Sequence, residues 1–311
     1  MPFSDVKLIL NEIANLICDW QDTYNVVLSP SLSITGGEPL LRPDLPLIID
    51  ASVQKGFEVF ILSNGTLISK EMAKTFALLG TKGVQVSIEG PEDIHDSIRG
   101  TGSFRSAING VRHLVEAGII ITLNATLSRL NADFFMDMVA LASSLGVQML
   151  GFSRLVPSGR GAGLIDKMLD IGEVKNLYEK IHSLPEGPIK IVSGDPIFGQ
   201  MDCQADTDSG AVMTGGCAAG LSGFTLLADG TITPCRRLPV ALGNIRKDSL
   251  REIWATSPVL EKLRDRTGYK GKCGTCARWA SCRGCRAIAF AYTSEKGSKD
   301  YLSEDPQCFI D

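Results

Sequence analysis

The chain has 311 residues, 44% of them hydrophobic and 21% charged, with 31 Lys+Arg against 35 Asp+Glu and a formal net charge of −4. Those proportions exclude general disorder, and the length predicts two domains or one α/β barrel. No apolar run approaches the ~20 residues of a membrane span, MPFSDVKLIL does not read as a secretory signal, and a slightly acidic balance draws neither nucleic acid nor anionic lipid, so a cytoplasmic protein without membrane or nucleic-acid partners is expected.

Along the chain, Val6, Ile9, Leu10, Ile13, Leu16, Ile17 and Trp20 recur at helical spacing and predict an amphipathic first helix. Cys18 belongs to that helix and is expected to be a buried structural thiol. Short apolar runs then predict strands at Leu32–Thr35, Glu58–Leu62, Gly83–Ile88, Ile119–Ala125, Met149–Phe152 and Ile189–Val192, separated by helical patterns. This alternation implies βαβ units and a parallel sheet, whose chemistry lies at the carboxyl ends of the strands. The polar segments there are Gly36-Gly37-Glu38-Pro39, Ser63-Asn64-Gly65, Ser87-Ile88-Glu89-Gly90, Asn124 and Arg154. A barrel or partial barrel is the preferred reading. Residues 1–195 form this unit, 196–216 read as an Asp- and Gly-rich linker, and 217–311 as a second domain. A hairpin is predicted there, with strands at Gly223–Ala228 and Thr231–Pro234 around an Asp229-Gly230 turn.

Residues 217–311 carry 15 Lys+Arg against 10 Asp+Glu, net +5, which leaves −9 for the preceding residues. A basic surrounding lowers thiol pKa values and offsets the charge of thiolate clusters, and equally describes a solvated surface. Of nine cysteines, eight fall in the last third: Cys203, Cys217, Cys235, Cys273, Cys276, Cys282, Cys285 and Cys308. Without a secretory signal these thiols are expected to be reduced, and clustered reduced thiols imply metal. Cys273-x2-Cys276 followed by Cys282-x2-Cys285 is the most specific local pattern, because two residues between ligands let both sulfurs turn onto one centre. Spacing alone leaves zinc and iron–sulfur both open. His95 and His113 are read as structural.

Together these features resemble the radical SAM enzymes that carry a C-terminal SPASM domain. The likeness runs through Ile34-Thr-Gly-Gly-Glu-Pro39, Leu62-Ser-Asn-Gly65, Val86-Ser-Ile-Glu-Gly-Pro91 and Ile94-His-Asp96. It continues through Cys217-x12-Gly230-x4-Cys235, Leu242–Trp254, the Cys273–Cys285 run and Cys308. It covers nearly the whole chain. It implies an α/β fold, a partial (β/α) barrel lacking its first strand, plus a small C-terminal iron–sulfur domain. It further implies that Gly36, Gly37, Glu38 and Pro39 receive the methionine end of S-adenosylmethionine (SAM), and that Ser87, Glu89, Asn124 and Arg154 reach its ribose and carboxylate. In this family the C-terminal cysteines hold two auxiliary 4Fe–4S clusters. Carried over in order, Cys273, Cys276, Cys282 and Cys308 hold an outer one, and Cys217, Cys235 and Cys285 an inner one. Cys203 is a candidate fourth inner ligand, with an open iron site as the alternative.

The chain lacks the family's defining C-x3-C-x2-C, and Cys18 cannot replace it. The expectation is an N-terminally truncated chain, with weakened SAM binding and no reductive cleavage of SAM. Cys282-Arg-Gly-Cys-Arg-Ala287, Tyr301–Pro306 before Cys308, and Pro157-Ser-Gly-Arg160 resemble members that act on tetrapyrroles in haem and haem d1 synthesis. Sulfatase-maturating members carry an acidic base after the equivalent of Cys235, where this chain has Arg236 and Arg237, which suit substrate carboxylates and equally the basic shell of a cluster or a plain surface. A tetrapyrrole substrate is expected, with reduced ferredoxin or flavodoxin as electron donor. The alternatives are a peptide-modifying enzyme, a non-catalytic iron–sulfur electron carrier or scaffold, and a zinc-stabilised scaffold.

Overall fold

The structure is a computed structural model that describes residues 1–201 and 215–310; the expected ligand Cys203 lies outside the described residues. Its first helix, α1 (Phe3–Tyr24), buries Ile9, Leu10 and Leu16 and ends at Asn25, whose left-handed backbone lets its N–H donate to the Gln21 carbonyl. Cys18 falls off the Ile9–Leu10–Leu16 stripe and is exposed, which corrects the expectation of a buried thiol. No helix among the described residues is long and apolar enough to cross a membrane.

Six strands make one sheet in the order β1 (Ser31–Ile34), β2 (Glu58–Ser63), β3 (Gly83–Ser87), β4 (Ile121–Leu127), β5 (Met149–Arg154) and β6 (Lys190–Ser193). Each lies within two residues of its sequence-based position. The helices between them are α2 (Leu45–Gln54), α3 (Lys70–Leu78), α4 (Glu92–Arg99), α5 (Ser103–Glu116), α6 (Phe135–Ser144) and α7 (Ile171–His182). Sequential strand order with parallel neighbours is the topology of a (β/α) barrel rather than of a doubly wound sheet.

Contacts divide the chain into two compact units. The first comprises Met1–Ala125, Asp133–Gly151 and Glu186–Val192. Strands β2 and β4 alternate strictly between buried and half-buried positions. Val59, Ile61, Val84, Val86, Ile121 and Leu123 are at most 1% exposed and form the core. The intervening Phe60, Leu62, Gln85 and Thr122, with Ser33 and Met149, line a cavity of about 190 Å³. A parallel sheet packed on both faces would read as continuous apolar runs; this alternation marks a face left for something other than core. The register fixes the alternation across strands, pairing Ile61 with Val84 and Val86 with Leu123. Gly65 and Gly110 let α5 pack against the loop after β2. Gly65 has φ +80°, and a Cβ on Gly110 would collide with the Gly65 carbonyl.

The second unit comprises Thr126–Ala132, Phe152–Pro185 and Ser193–Asp311. A capping box starts α7: Asp170 accepts from the Glu173 amide at 2.9 Å, and the Glu173 carboxylate accepts from the Asp170 amide at 2.7 Å. A small antiparallel sheet follows, of β7 (Thr225–Leu226), β8 (Thr231–Thr233) and β9 (Gly243–Asn244). The expected hairpin is present, pairing Thr225 with Thr233 around Gly230 at φ +92°, with Asp229 accepting from the Thr231 amide. The two-residue β9 carries too short a pattern to be read from sequence. Four helices complete the unit: α8 (Leu250–Thr256), α9 (Pro258–Arg264), α10 (Gly271–Thr275) and α11 (Arg286–Glu295). Its core gathers Val156, Met168, Leu238 and Ile288 around buried Cys285, with Cys217 and Cys235 packed against them.

Candidate functional site

In the first unit residues 36–39, Ser87 and Glu89 lie at or just past the carboxyl ends of β1 and β3, whereas Asn124 is the central residue of β4, which runs two residues further than the sequence predicts. Gly36 and Gly37 follow β1 in exposed backbone, and a Cβ built on either meets nothing within 4 Å. Protein packing therefore does not demand glycine at Gly37, whereas Gly36 at φ +150° also needs it conformationally. Open space beside two glycines is the room that a ligand approaching the backbone requires.

Glu38 closes that turn. Its Oε1 accepts from the Leu40 amide at 3.2 Å, capping the short 3-10 helix Pro39–Leu41. Oε1 also accepts from the Ser63 hydroxyl at 2.8 Å, and Oε2 accepts from the Asn64 amide at 2.8 Å. Three of roughly four lone-pair positions on the carboxylate are thus filled, leaving one on Oε2 for a further donor such as an ammonium. Pro39 is buried beneath it. Ser63 and Asn64 are partners that the sequence reading placed only in a polar loop.

Ser87 and Asn124 are brought side by side, as register partners on β3 and β4. Gly151 on β5 makes room for the Asn124 side chain, since a Cβ there would stand 2.9 Å from Asn124 Oδ1. Glu89 is only 3% exposed, and Oε1 accepts from Arg99 Nε at 3.0 Å and from Nη2 at 2.5 Å. Its amide donates to His95 Nδ1 at 3.1 Å. Burial lowers the His95 pKa to about 4, so the ring is neutral and its Nδ1 is an acceptor.

Arg154, in the second unit, is fully buried, and every N–H of its guanidinium is committed. Nε and Nη2 donate to Asp195 at 2.7 and 3.2 Å, Nη1 and Nη2 to Asp305 at 2.9 and 2.8 Å, and Nη1 to Gln307 Oε1 at 3.0 Å. Burial opposes the charge, but the two carboxylates overrule it and raise the pKa of Arg154 well above its ordinary value. No donor is left over for the carboxylate of a cofactor, the contact expected of it.

The seven described cysteines of this unit are free thiols. Cys273, Cys282 and Cys285 are buried, and Cys217, Cys235, Cys276 and Cys308 are half-buried. Their side chains interact within the two sets that the resemblance implies, and Arg283 lies in the field of both Cys217 and Cys282, one from each set. Cys308 feels Cys273 and Cys276, and Cys282 feels Cys308 and Cys273. Cys285 feels Cys217, and Arg237 sits in the field of Cys285 and Cys235. The two sets interleave through backbone: the Cys217 amide donates to the Cys282 carbonyl at 3.0 Å.

This donor set fits iron–sulfur clusters. Three sulfurs already receive N–H donors: Cys276 from the Arg278 amide, Cys282 from the Gly284 amide and Cys273 from Arg286 Nη2, each at 3.4 Å. Such donors offset thiolate charge. Gly284, at φ +60°, keeps the space clear, for a Cβ there would stand 3.1 Å from Cys273 Sγ and 2.8 Å from Arg286 Nη2. Burial pushes the Cys282 and Cys285 thiols up to about 12 and Cys308 to about 11, so their ionisation requires the positive charge of a metal centre. Among the described residues, no three His, Cys, Asp or Glu side chains are gathered tightly enough to hold a single metal ion. A four-iron cube spaces its thiolates more widely than a tetrahedral zinc does. Arg236 is exposed, next to the half-buried Arg237.

The model of the radical SAM superfamily matches residues 4–142, and that of an iron–sulfur cluster-binding domain, SPASM, matches residues 217–286. The chain is 32% identical to the AdoMet-dependent heme synthase of Nitratidesulfovibrio vulgaris, over 92% of this chain and 81% of that protein. It is 30% identical to the mycofactocin maturase MftC of Mycobacterium tuberculosis, over 83% of this chain and 66% of that protein. Its fold matches the crystal structure of SuiB from Streptococcus suis bound to S-adenosylmethionine with a TM-score of 0.74, at 18% identity, over 97% of this chain and 70% of that one.

Proposed function

Because this chain belongs to the radical SAM superfamily and carries a C-terminal SPASM iron–sulfur domain, we propose that it is an oxidoreductase or maturase of that type acting on a tetrapyrrole. The observation that carries the substrate class is the likeness to a heme synthase across 92% of this chain, together with the Cys282-Arg-Gly-Cys285 and Tyr301–Pro306 text. A peptide substrate is the second reading, favoured by the likeness to a mycofactocin maturase. Residues 1–195 act as the SAM-binding unit and 217–311 as the auxiliary-cluster unit.

In members of this family SAM supplies a carbon radical when reduced and 4Fe–4S clusters pass single electrons; this chain, without C-x3-C-x2-C, is read as binding SAM without cleaving it. The protein's own residues bind and orient. The open backbone at Gly36-Gly37 admits the methionine end, and the free acceptor position on Glu38 Oε2 takes its ammonium. Ser87 and Asn124 present adjacent polar side chains for the ribose or carboxylate. Cys273, Cys276, Cys282 and Cys308 hold an outer cluster, and Cys217, Cys235 and Cys285 an inner one, whose fourth position is taken by Cys203 or left open on the iron for substrate. Arg236 and Arg237 lie next to the inner set, where a guanidinium pairs with substrate carboxylates. Reduced ferredoxin or flavodoxin serves as donor.

Anaerobic purification with iron, sulfide and zinc analysis tests the cluster assignment. Roughly eight irons per chain and a brown absorbance are expected; a colourless protein with about two zincs overturns it. Titration with an iron porphyrin precursor against a precursor peptide decides between substrates, and binding of the peptide alone refutes the tetrapyrrole reading. The 311 residues contain no C-x3-C-x2-C, so with dithionite and SAM this chain is expected to form no 5′-deoxyadenosine above background. Clear turnover would refute that.

A further inference from the structure

Arg154 is at once the last residue of β5 and the centre of a buried ionic node that the expected cofactor role does not use. The node holds one guanidinium between two carboxylates, Asp195 and Asp305, with the side chains of Arg154 and Asp305 fully buried and that of Asp195 3% exposed. A buried charge set of this kind carries a large desolvation cost, and apolar residues would fill the same volume without it. The chain therefore gains something other than bulk stability from it. The connections of Asp305 show what. Its Oδ2, which takes Arg154 Nη2, also accepts the backbone amide of Cys285 at 2.8 Å. Its Oδ1 accepts the Gln307 amide at 3.0 Å, and its backbone carbonyl accepts the Cys308 amide at 3.1 Å. Gln307 returns to Arg154 through Oε1 and anchors Nε2 on the Leu169 carbonyl at 2.6 Å. One aspartate thus holds the backbone of two cysteines that belong to different thiol sets.

We infer that Asp305, clamped by Arg154, is a positioning residue that fixes the amides of Cys285 and Cys308 so that each presents its sulfur to its own cluster. Arg154 acts through Asp305 rather than on SAM. The inference rests on the cluster reading given above. The asymmetry of the node supports it. Asp195, the other carboxylate on Arg154, accepts the Ile197 amide at 2.9 Å, and its backbone amide donates to the Ser193 hydroxyl at 3.1 Å; neither bond reaches a cysteine. Asp195 and Asp305 are thus equivalent partners for Arg154, and only Asp305 reaches ligand backbone.

That asymmetry defines the experiment. Wild-type chain, Asp305→Asn, Asp195→Asn and Arg154→Lys are reconstituted anaerobically with iron and sulfide. Each is then assayed for bound iron, for the electron paramagnetic resonance of the dithionite-reduced protein, and for thermal unfolding. Asp305→Asn is expected to lose at least half of the wild-type iron and to change the resonance. Asp195→Asn should lose comparable thermal stability yet keep wild-type iron and an unchanged resonance. Arg154→Lys, which keeps the charge but not the fork, should fall between them, and it decides the question if Asp305→Asn does not fold. Wild-type iron and resonance in Asp305→Asn, or in Arg154→Lys where that variant decides, overturn the inference, as does an equal iron loss in Asp195→Asn. A wild-type protein without iron overturns the cluster reading and this inference with it.

Discussion

Glu38 reaches from the turn after β1 to the end of β2 and takes the Ser63 hydroxyl at 2.8 Å, while its second oxygen holds the Asn64 amide. One carboxylate thereby locks two strand-end loops and keeps one acceptor position on Oε2. Hydrogen bonds to a charged partner contribute about 1.5–3 kcal/mol each, and part-buried donors left unpaired cost about as much. Glu38→Ala should therefore lower unfolding stability by roughly 2–4 kcal/mol and abolish SAM binding. Glu38→Gln replaces an acceptor by a donor facing the Leu40 or the Asn64 amide, and should lose less stability yet most of the SAM affinity. Urea unfolding and calorimetric titration with SAM check both. Wild-type affinity in Glu38→Gln would remove Glu38 from the site.

Two glycines separate a ligand role from a packing role. A methyl at Gly37 meets nothing, whereas a methyl at Gly110 meets the Gly65 carbonyl. Gly37→Ala should leave the melting temperature within a few degrees of wild type while weakening SAM binding about tenfold or more, because the methyl fills ligand space. Gly110→Ala should cost about 1–3 kcal/mol by overpacking. Its SAM affinity, measured where the protein is still folded, should stay near wild type. Unchanged SAM affinity in Gly37→Ala would show that the open space beside it is not a binding surface.

The same contrast explains what was legible in the sequence. Strand positions were readable because short apolar runs alternate with helical patterns, and every one of the six falls within two residues of its expected place. The chemistry of Cys273–Cys285 was readable because ligand spacing is local. Arg154 was not: sequence places it at a strand end, where a cofactor contact is a fair expectation. Its actual partners Asp195 and Asp305 lie 41 and 151 residues away, and no periodicity announces a pairing of that range. Ser63 and Asn64 were seen only as loop residues for the same reason, since their role depends on Glu38, 25 and 26 residues upstream. Cys18 was misplaced because a helical stripe fixes which positions are buried at its centre better than at its margin.

His95 should make stability depend on pH. In the folded chain burial lowers its pKa to about 4, from an ordinary value of 6.5 in the unfolded chain. Above pH 6.5 both states are neutral and the Glu89 amide keeps its acceptor. As pH falls from 6.5 toward 4 the unfolded chain takes a proton that the folded chain refuses, so stability is lost over that window, by roughly 3 kcal/mol in all. His95→Gln, which can still accept from the Glu89 amide, should flatten this part of the profile. Urea midpoints compared at pH 7 and pH 5 measure it; an equal acid loss in the variant would assign the effect to other groups.

Removal of metal should turn the cysteine sites from reactive sulfur chemistry into inert core. Burial pushes the Cys282 and Cys285 thiols up to about 12 from an ordinary value of 9.0, and a bound metal centre supplies the positive charge that ionises them near neutral pH. In protein stripped with a chelator at pH 8, Cys282 and Cys285 should therefore stay protonated and alkylate with iodoacetamide at least tenfold more slowly than exposed Cys18. The sign of the linkage follows. An acid whose folded pKa is raised holds its proton longer folded than unfolded, so its stabilisation is complete below about pH 9 and is lost as pH rises toward 12. The stripped protein should thus unfold more readily at pH 10 than at pH 8, while the iron-loaded protein, whose sulfurs are already ionised, should show a shallower change. Peptide mass mapping after timed alkylation reads the first effect and urea unfolding the second. Rapid alkylation of Cys285 in the stripped, folded protein would mean that this thiol is not enclosed in the core of its unit.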